Sequence, residues 1–287
     1  MLMLGYVLGA AVVIYLLLTL YLTYLVHQIP RRPVSDKPDW GIVTDTTIPA
    51  IDGGRLEVWR IEPAGQSRAV VVFAHGWGRN RGRMVYRARI FGQWGFATVI
   101  HSARDHGGSS PKKFMNAMRF AEDIESVLNW VGEPVILYGH SAGAAGAIIE
   151  ASRRPHQIRL LFLEGCYANT KEALLHLYRW FNPFFGRFFA PAVLFWMDLF
   201  YKWGMNRVSP ARLAPALTMP VLIIHGEKDG RFPLRFAETL RRSFAPGQAE
   251  LFVAEGADHS DSSLMPEYRD RVKDFLDRHT DRWSRAG

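Results

Sequence analysis

The sequence predicts an α/β domain with a mainly parallel central sheet, helices on both faces, a helical cap insertion and an N-terminal transmembrane helix. Three observations predict it. Short apolar runs of strand length alternate with helical stretches from residue 69 onward. A stretch dense in aromatics interrupts that alternation at about 166–219. The first 28 residues hold an uncharged apolar segment long enough to cross a bilayer.

The length of 287 residues suits one large domain with a short appendage. Hydrophobic residues make up 48% and charged residues 22%, which excludes a disordered chain. The formal net charge is +8, but Lys and Arg are scattered and no nucleic-acid motif occurs, so no nucleic-acid partner is expected. Arg79, Arg81 and Arg83 stand beside strongly apolar segments. The charge reads as suiting an anionic lipid surface, or simply as a solvated face. Cys166 is the single cysteine, so an intrachain disulfide is excluded. It follows an apolar strand in Glu164-Gly165-Cys166-Tyr167, which is not a nucleophile turn.

Residues 4–26 carry no charge. At about 1.5 Å per residue they match a hydrocarbon core about 30 Å thick. Tyr6 sits near one end, and Tyr21 and Tyr24 near the other, where amphipathic rings favour the interface. The segment lacks a basic n-region and exceeds the apolar core of a cleavable signal, so residues 1–28 read as a retained single-pass anchor. Arg31, Arg32 and Lys37 follow it, which predicts that this side, and the domain beyond it, is cytoplasmic. Residues 29–41, with Pro30 and Pro33, read as a stiff linker to a domain spanning 42–287.

Within that domain, strand-like runs at 48–51 and 56–61 flank Asp52-Gly53-Gly54, a hairpin turn signal. Further strands are expected at 69–74, 97–101, 134–138, 160–163, 221–225 and 249–253. Helices are expected at 84–94, 114–131, 141–152, 234–244 and 266–279. Right-handed crossovers put the functional loops at the strand C-terminal ends.

Four of those loops carry chemistry. Gly139-His140-Ser141-Ala142-Gly143 fits G-x-S-x-G between an apolar strand and a small-residue helix. A nucleophile at so sharp a turn needs neighbours without bulk, and Gly139 and Gly143 supply that. The following helix N-terminus favours developing negative charge at Ser141. His75-Gly76-Trp77-Gly78 follows the strand at 69–74 and is a candidate oxyanion loop. The expected backbone N–H donors are those of Trp77 and Ala142. Asp229, in His225-Gly226-Glu227-Lys228-Asp229, is the candidate acid, with Glu227 as its neighbouring alternative. His259, in Gly256-Ala257-Asp258-His259-Ser260, is the candidate base, and the order Ser, Asp, His fits this fold.

On these residues the chain from about 45 to 280 resembles the α/β-hydrolase superfamily. It is most similar to the membrane-anchored members of its serine aminopeptidase, Bem46-like and monoglyceride-lipase-like group. The resemblance rests on HGWG, GHSAG, HGEKDGRFP and GADHS in order. It implies a Ser-His-Asp hydrolase with no cofactor, and it leaves the substrate open. Relatives usually carry D-x-R-G-H-G-x-S after the fourth strand. Here the segment is Ser102-Ala103-Arg104-Asp105-His106-Gly107-Gly108-Ser109, with the turn left to Gly107 and Gly108. His101, Asp105 and His106 have no further ligand at metal spacing, so no metal is expected.

Pro183 and Pro191 divide the aromatic insertion into short helices, and its charges leave no second long span. One reading is a lid over an acyl pocket that also dips into the bilayer interface; the other is a lid packed on its own core. The leading functional expectation is hydrolysis of a small-molecule or lipid ester with a hydrophobic acyl group at a membrane. A thioesterase or protein deacylase, a serine peptidase, and a non-catalytic binding protein on the same fold are the alternatives.

Overall fold

The structure is a computed structural model, and it describes residues 1–280. After helix α1 (Leu2–Leu25), strands β1 (Ile42–Pro49) and β2 (Arg55–Glu62) form the expected hairpin. Then come β3 (Val70–Ala74), α2 (Val85–Gln93), β4 (Ala97–His101), α3 (Ala117–Val131), β5 (Val135–His140), α4 (Ala142–Arg153) and β6 (Ile158–Glu164). Helices α5 (Thr170–Phe181), α6 (Pro183–Phe188), α7 (Ala190–Phe200) and α8 (Pro210–Leu213) fill the insertion. The chain closes with β7 (Val221–Gly226), α9 (Arg235–Arg242), β8 (Ala249–Ala254) and α10 (Tyr268–Thr280).

The eight strands form one sheet in the order β1-β2-β4-β3-β5-β6-β7-β8. β2 runs against both its neighbours, and every later pairing is parallel. The parallel strands are apolar on both faces because helices cover both faces. In β3, for example, Val70, Val72 and Ala74 enter one core layer while Val71 and Phe73 enter the other. A parallel sheet also gathers all its strand C-termini along one edge, and the loops that bear the motifs emerge there.

Local chemistry sets the boundaries that hydrophobic period alone misses. α3 starts at Ala117 rather than 114, because Phe114 adopts φ 57° and Asn116 caps the helix through Oδ1, which accepts from Arg119 N–H at 3.1 Å. Gly132, at φ 75°, ends it in the left-handed region. β1 begins six residues before the expected run, at Ile42. Its first half is exposed, so no apolar alternation marks it.

The insertion leaves the sheet after Glu164 and returns at Val221. Asn182 caps α6, with Pro183 at its first position, and Pro191 stands in the first turn of α7. The two ends of the cap are stitched together. Thr170 N–H donates to Ser209 Oγ at 3.0 Å, and Ala211 N–H donates to the Ala168 carbonyl at 2.9 Å.

α1 has the length and composition to cross a membrane: 24 residues with a mean hydropathy of 2.3 over its apolar window. Its C-terminal half lies on the cap, where Leu22 and Val26 pack with Val193, Leu194, Met197 and Met205. The segment 29–41 is strapped to the domain. Asn80 Nδ2 donates to the carbonyls of Arg32 (3.0 Å) and Pro33 (3.1 Å), and Val34 and Trp40 pack on the core.

Behind the motif-bearing edge lies a buried ion pair. Arg87 and Glu164 meet at 2.5 Å, and Tyr138 Oη–H donates to Glu164 Oε2 at 2.7 Å. Removing one partner of a fully buried pair leaves an uncompensated charge. Glu164→Ala is therefore expected to destabilise the fold by about 3–5 kcal/mol. Denaturant unfolding of the variant against the parent checks this; an unchanged midpoint would mean that Arg87 finds solvent.

Candidate active site

The backbone at Ser141 is the first element of the site. Ser141 follows β5 directly and takes φ 54° and ψ −116°, a conformation rare for a residue with a side chain. The tight turn requires the glycines on either side. A Cβ on Gly139 would lie 2.5 Å from Ala144 Cα, and one on Gly143 would lie 2.4 Å from the Ala74 carbonyl oxygen. Ser141 N–H is held by the Glu164 carbonyl at 2.8 Å.

Three loops bring Ser141, His259 and Asp229 into one hydrogen-bonded chain. Ser141 Oγ lies 3.0 Å from His259 Nε2, and His259 Nδ1 lies 2.7 Å from Asp229 Oδ2. A carboxylate beside Nδ1 fixes the proton there, which leaves Nε2 free to accept from the serine hydroxyl. Asp229 Oδ1 accepts from the N–H groups of Arg231 and Phe232, each at 2.9 Å. Burial pushes the Asp229 carboxyl up, but His259 and the Phe232 N–H outweigh it and hold it below the usual carboxylate range. His140 Nε2–H donates to the His259 carbonyl at 3.1 Å, so the residue before Ser141 also fixes the backbone of His259. Glu227 is turned elsewhere: its Oε2 accepts from Gly256 N–H at 2.9 Å.

The loop after β3 comes close to Ser141. A Cβ on Gly76 would lie 3.0 Å from Ser141 Cβ. Two buried histidines that the sequence analysis did not assign to this role brace the loop. His75 Nε2 accepts from Ala103 N–H at 2.9 Å, so its Nδ1–H donates to the Gly76 carbonyl at 2.7 Å. His106 Nε2 accepts from Gly78 N–H at 3.1 Å, and its Nδ1–H donates to the Arg104 carbonyl at 2.8 Å. In the sequence both stand within loop motifs, HGWG and the segment 102–109.

The segment 102–109 keeps its turn despite its changed residues. Asp105 (φ 62°) and Gly107 (φ 50°) take left-handed conformations. Ser102 Oγ–H donates to Glu57 Oε1 at 2.5 Å and accepts from Arg81 N–H at 2.9 Å.

Ser141, Ala142 and Trp77 open into a cavity of about 530 Å³ beneath the cap. Met115, Leu174, Leu177, Tyr178, Met197 and Phe232 make its walls mainly apolar. Val26 and His27, from the end of α1, also line it.

The fold is shared with solved structures. The family pattern described as "Serine aminopeptidase, S33" matches residues 65–198. An esterase of Pyrococcus furiosus, Pf2001, superposes with a TM-score of 0.70 at 18% identity, covering 88% of this chain and 99% of that one. The chain has the α/β-hydrolase fold. It is 25% identical over 254 residues to a monoacylglycerol lipase of Mycolicibacterium smegmatis, covering 75% of this chain and 90% of that protein. It is 26% identical over 259 residues to a lysophosphatidylserine lipase, ABHD12, of Xenopus tropicalis, covering 80% of this chain but 64% of that longer protein.

The buried imidazoles around the site make its stability depend on pH. Burial holds His101 down to about 4 and His140 down to about 3, against an ordinary 6.5. Below 6.5 the unfolded chain takes up protons that these folded histidines refuse, so stability declines as pH falls towards 4 and then 3. Glu164 adds a second window. Burial pushes its carboxyl up, but Arg87 prevails and holds it at about 2, so its contribution is present above 4.5 and is lost as pH falls towards 2. The melting temperature is expected to drop steadily from pH 7 to pH 4, with a shallower slope in His101→Gln. Equal slopes for the two proteins would show that His101 is not held neutral.

Proposed function

We propose that this α/β-hydrolase is a membrane-anchored serine esterase that cleaves carboxylic esters of hydrophobic acyl groups. The observation that carries this reading is the 3.0 Å and 2.7 Å chain from Ser141 through His259 to Asp229, opening into a mainly apolar cavity. In the reaction proposed, Ser141 Oγ attacks the ester carbonyl while its proton passes to His259 Nε2. Asp229 stabilises the imidazolium. The backbone N–H groups of Ala142 and Trp77 receive the oxyanion: Ala142 begins α4, where an N–H has no carbonyl of a preceding helical turn to bond, and Gly76 lets the Trp77 loop approach. Collapse expels the alcohol, which takes the proton from His259 and leaves an acyl group on Ser141. Water then attacks that acyl-enzyme by the same route, releasing the acid.

The membrane part of the reading rests on α1 and on the outer face of the cap. Trp180, Phe181, Phe184, Phe188, Phe195 and Trp203 are all about half exposed or more there. Aromatic rings of this kind favour the lipid interface. Arg31 and Arg32 beyond α1 favour a cytoplasmic domain.

Hydrolysis of a p-nitrophenyl ester series from acetate to dodecanoate tests the chemistry. Activity should rise with chain length. Ser141→Ala should lower kcat by roughly 10⁶-fold, and Asp229→Asn by about 10⁴-fold, with the fold intact. Turnover that survives in Ser141→Ala would remove the serine from the mechanism. Removal of residues 1–28 should shift the protein from the membrane fraction to the soluble one; full retention would assign the anchoring to the cap.

A further inference from the structure

A helix that served only as a tether would need no polar contact with the domain it carries. α1 makes several. Its only buried residues are Thr19 and Thr23. Small residues at these positions let two helices approach closely. Trp196 Nε1–H of α7 donates to Thr19 Oγ1 at 3.0 Å, and Tyr15 Oη–H donates to the Phe188 carbonyl at 2.7 Å. In lipid, where apolar surface gives little drive for helices to associate, such directional contacts and close packing decide which faces meet.

The contact continues past the end of α1. His27 is buried, and its Nδ1 lies 2.7 Å from the Thr23 carbonyl, an acceptor, so Nδ1 carries the proton. Nε2 is then the acceptor, and Tyr201 Oη–H donates to it at 2.6 Å. This latch joins the end of the anchor to the end of α7. Val26, His27 and Tyr201 all line the cavity into which Ser141 opens.

From this we infer that α1 is a fifth cap helix, and that the two residues following it close the acyl-binding cavity, so that Val26 and His27 select which acyl chains the site accepts. The inference rests on the esterase reading given above. The anchor then acts as a specificity element as well as an attachment, and the cavity wall is completed at the level where the chain leaves the bilayer.

Two measurements on the full-length protein in detergent micelles test it. The first compares kcat/KM for p-nitrophenyl dodecanoate and p-nitrophenyl acetate. Val26→Trp, which fills the wall, should lower the long-to-short ratio at least tenfold. Val26→Ala, which enlarges the cavity, should move the preferred chain length upward. The second replaces Leu22 with a photoreactive diazirine leucine and maps the cross-links by mass spectrometry. Adducts on the peptide that carries α7 are expected. Adducts on detergent alone would overturn docking of the anchor, whatever the enzyme hydrolyses. Cross-links to α7 with an unchanged ratio in both Val26 variants would equally overturn the inference, since the anchor would dock without shaping the site. If the unmodified protein showed no Ser141-dependent hydrolysis, the esterase reading would fall and the acyl-selecting role with it, while the cross-link would still report the docking.

Discussion

The site depends on one strained residue. Ser141 holds a positive φ at the point where β5 turns into α4. Such a conformation costs on the order of 1–3 kcal/mol and persists only where the surroundings enforce it. Here the enforcement comes from backbone packed against backbone. Gly139 lies against Ala144, Gly143 against the carbonyls of Ala74 and His75, and the Glu164 carbonyl takes the Ser141 N–H. The strand ends of β3 and β6 thereby fix the turn of β5. The same packing that strains the backbone lifts Oγ clear of the sheet and aims it at His259.

Polar groups buried behind this edge keep the surrounding loops in register. Glu164 is anchored through its side chain by Arg87 and Tyr138, while its carbonyl holds Ser141. His75, His106 and His140 are buried as neutral rings that each tie one loop to another. Satisfied networks of this kind rigidify a site. They also set its limit in acid, since every such ring refuses a proton that the unfolded chain accepts.

The sheet and the four motif loops were legible in the sequence because burial on both faces leaves continuous apolar runs, and because glycine marks turns that admit nothing larger. The expected positions of Ser141, Asp229 and His259 lie within one hydrogen-bonded chain. Other features left no periodic trace. The first half of β1 is exposed and shows no apolar alternation, so its pairing with β2 shows only in three dimensions. The buried histidines look in sequence like any other histidine near a loop. The docking of α1 was hidden for a different reason: its exposed and cap-facing sides are both largely apolar, and its buried residues Thr19 and Thr23 leave no periodic mark.

The stitched stem of the cap separates two kinds of change. Thr170 and Ser209 meet, as do Ala168 and Ala211, so the excursion between them begins and ends at one place. Closing a longer or shorter loop at such a stem alters its entropy only slowly with length. Helices α5 to α7 are therefore free to drift, lengthen or be replaced over evolutionary time while β6 and β7 keep their pairing. In such a lineage substrate choice diversifies, and the chemistry at the sheet edge is inherited intact.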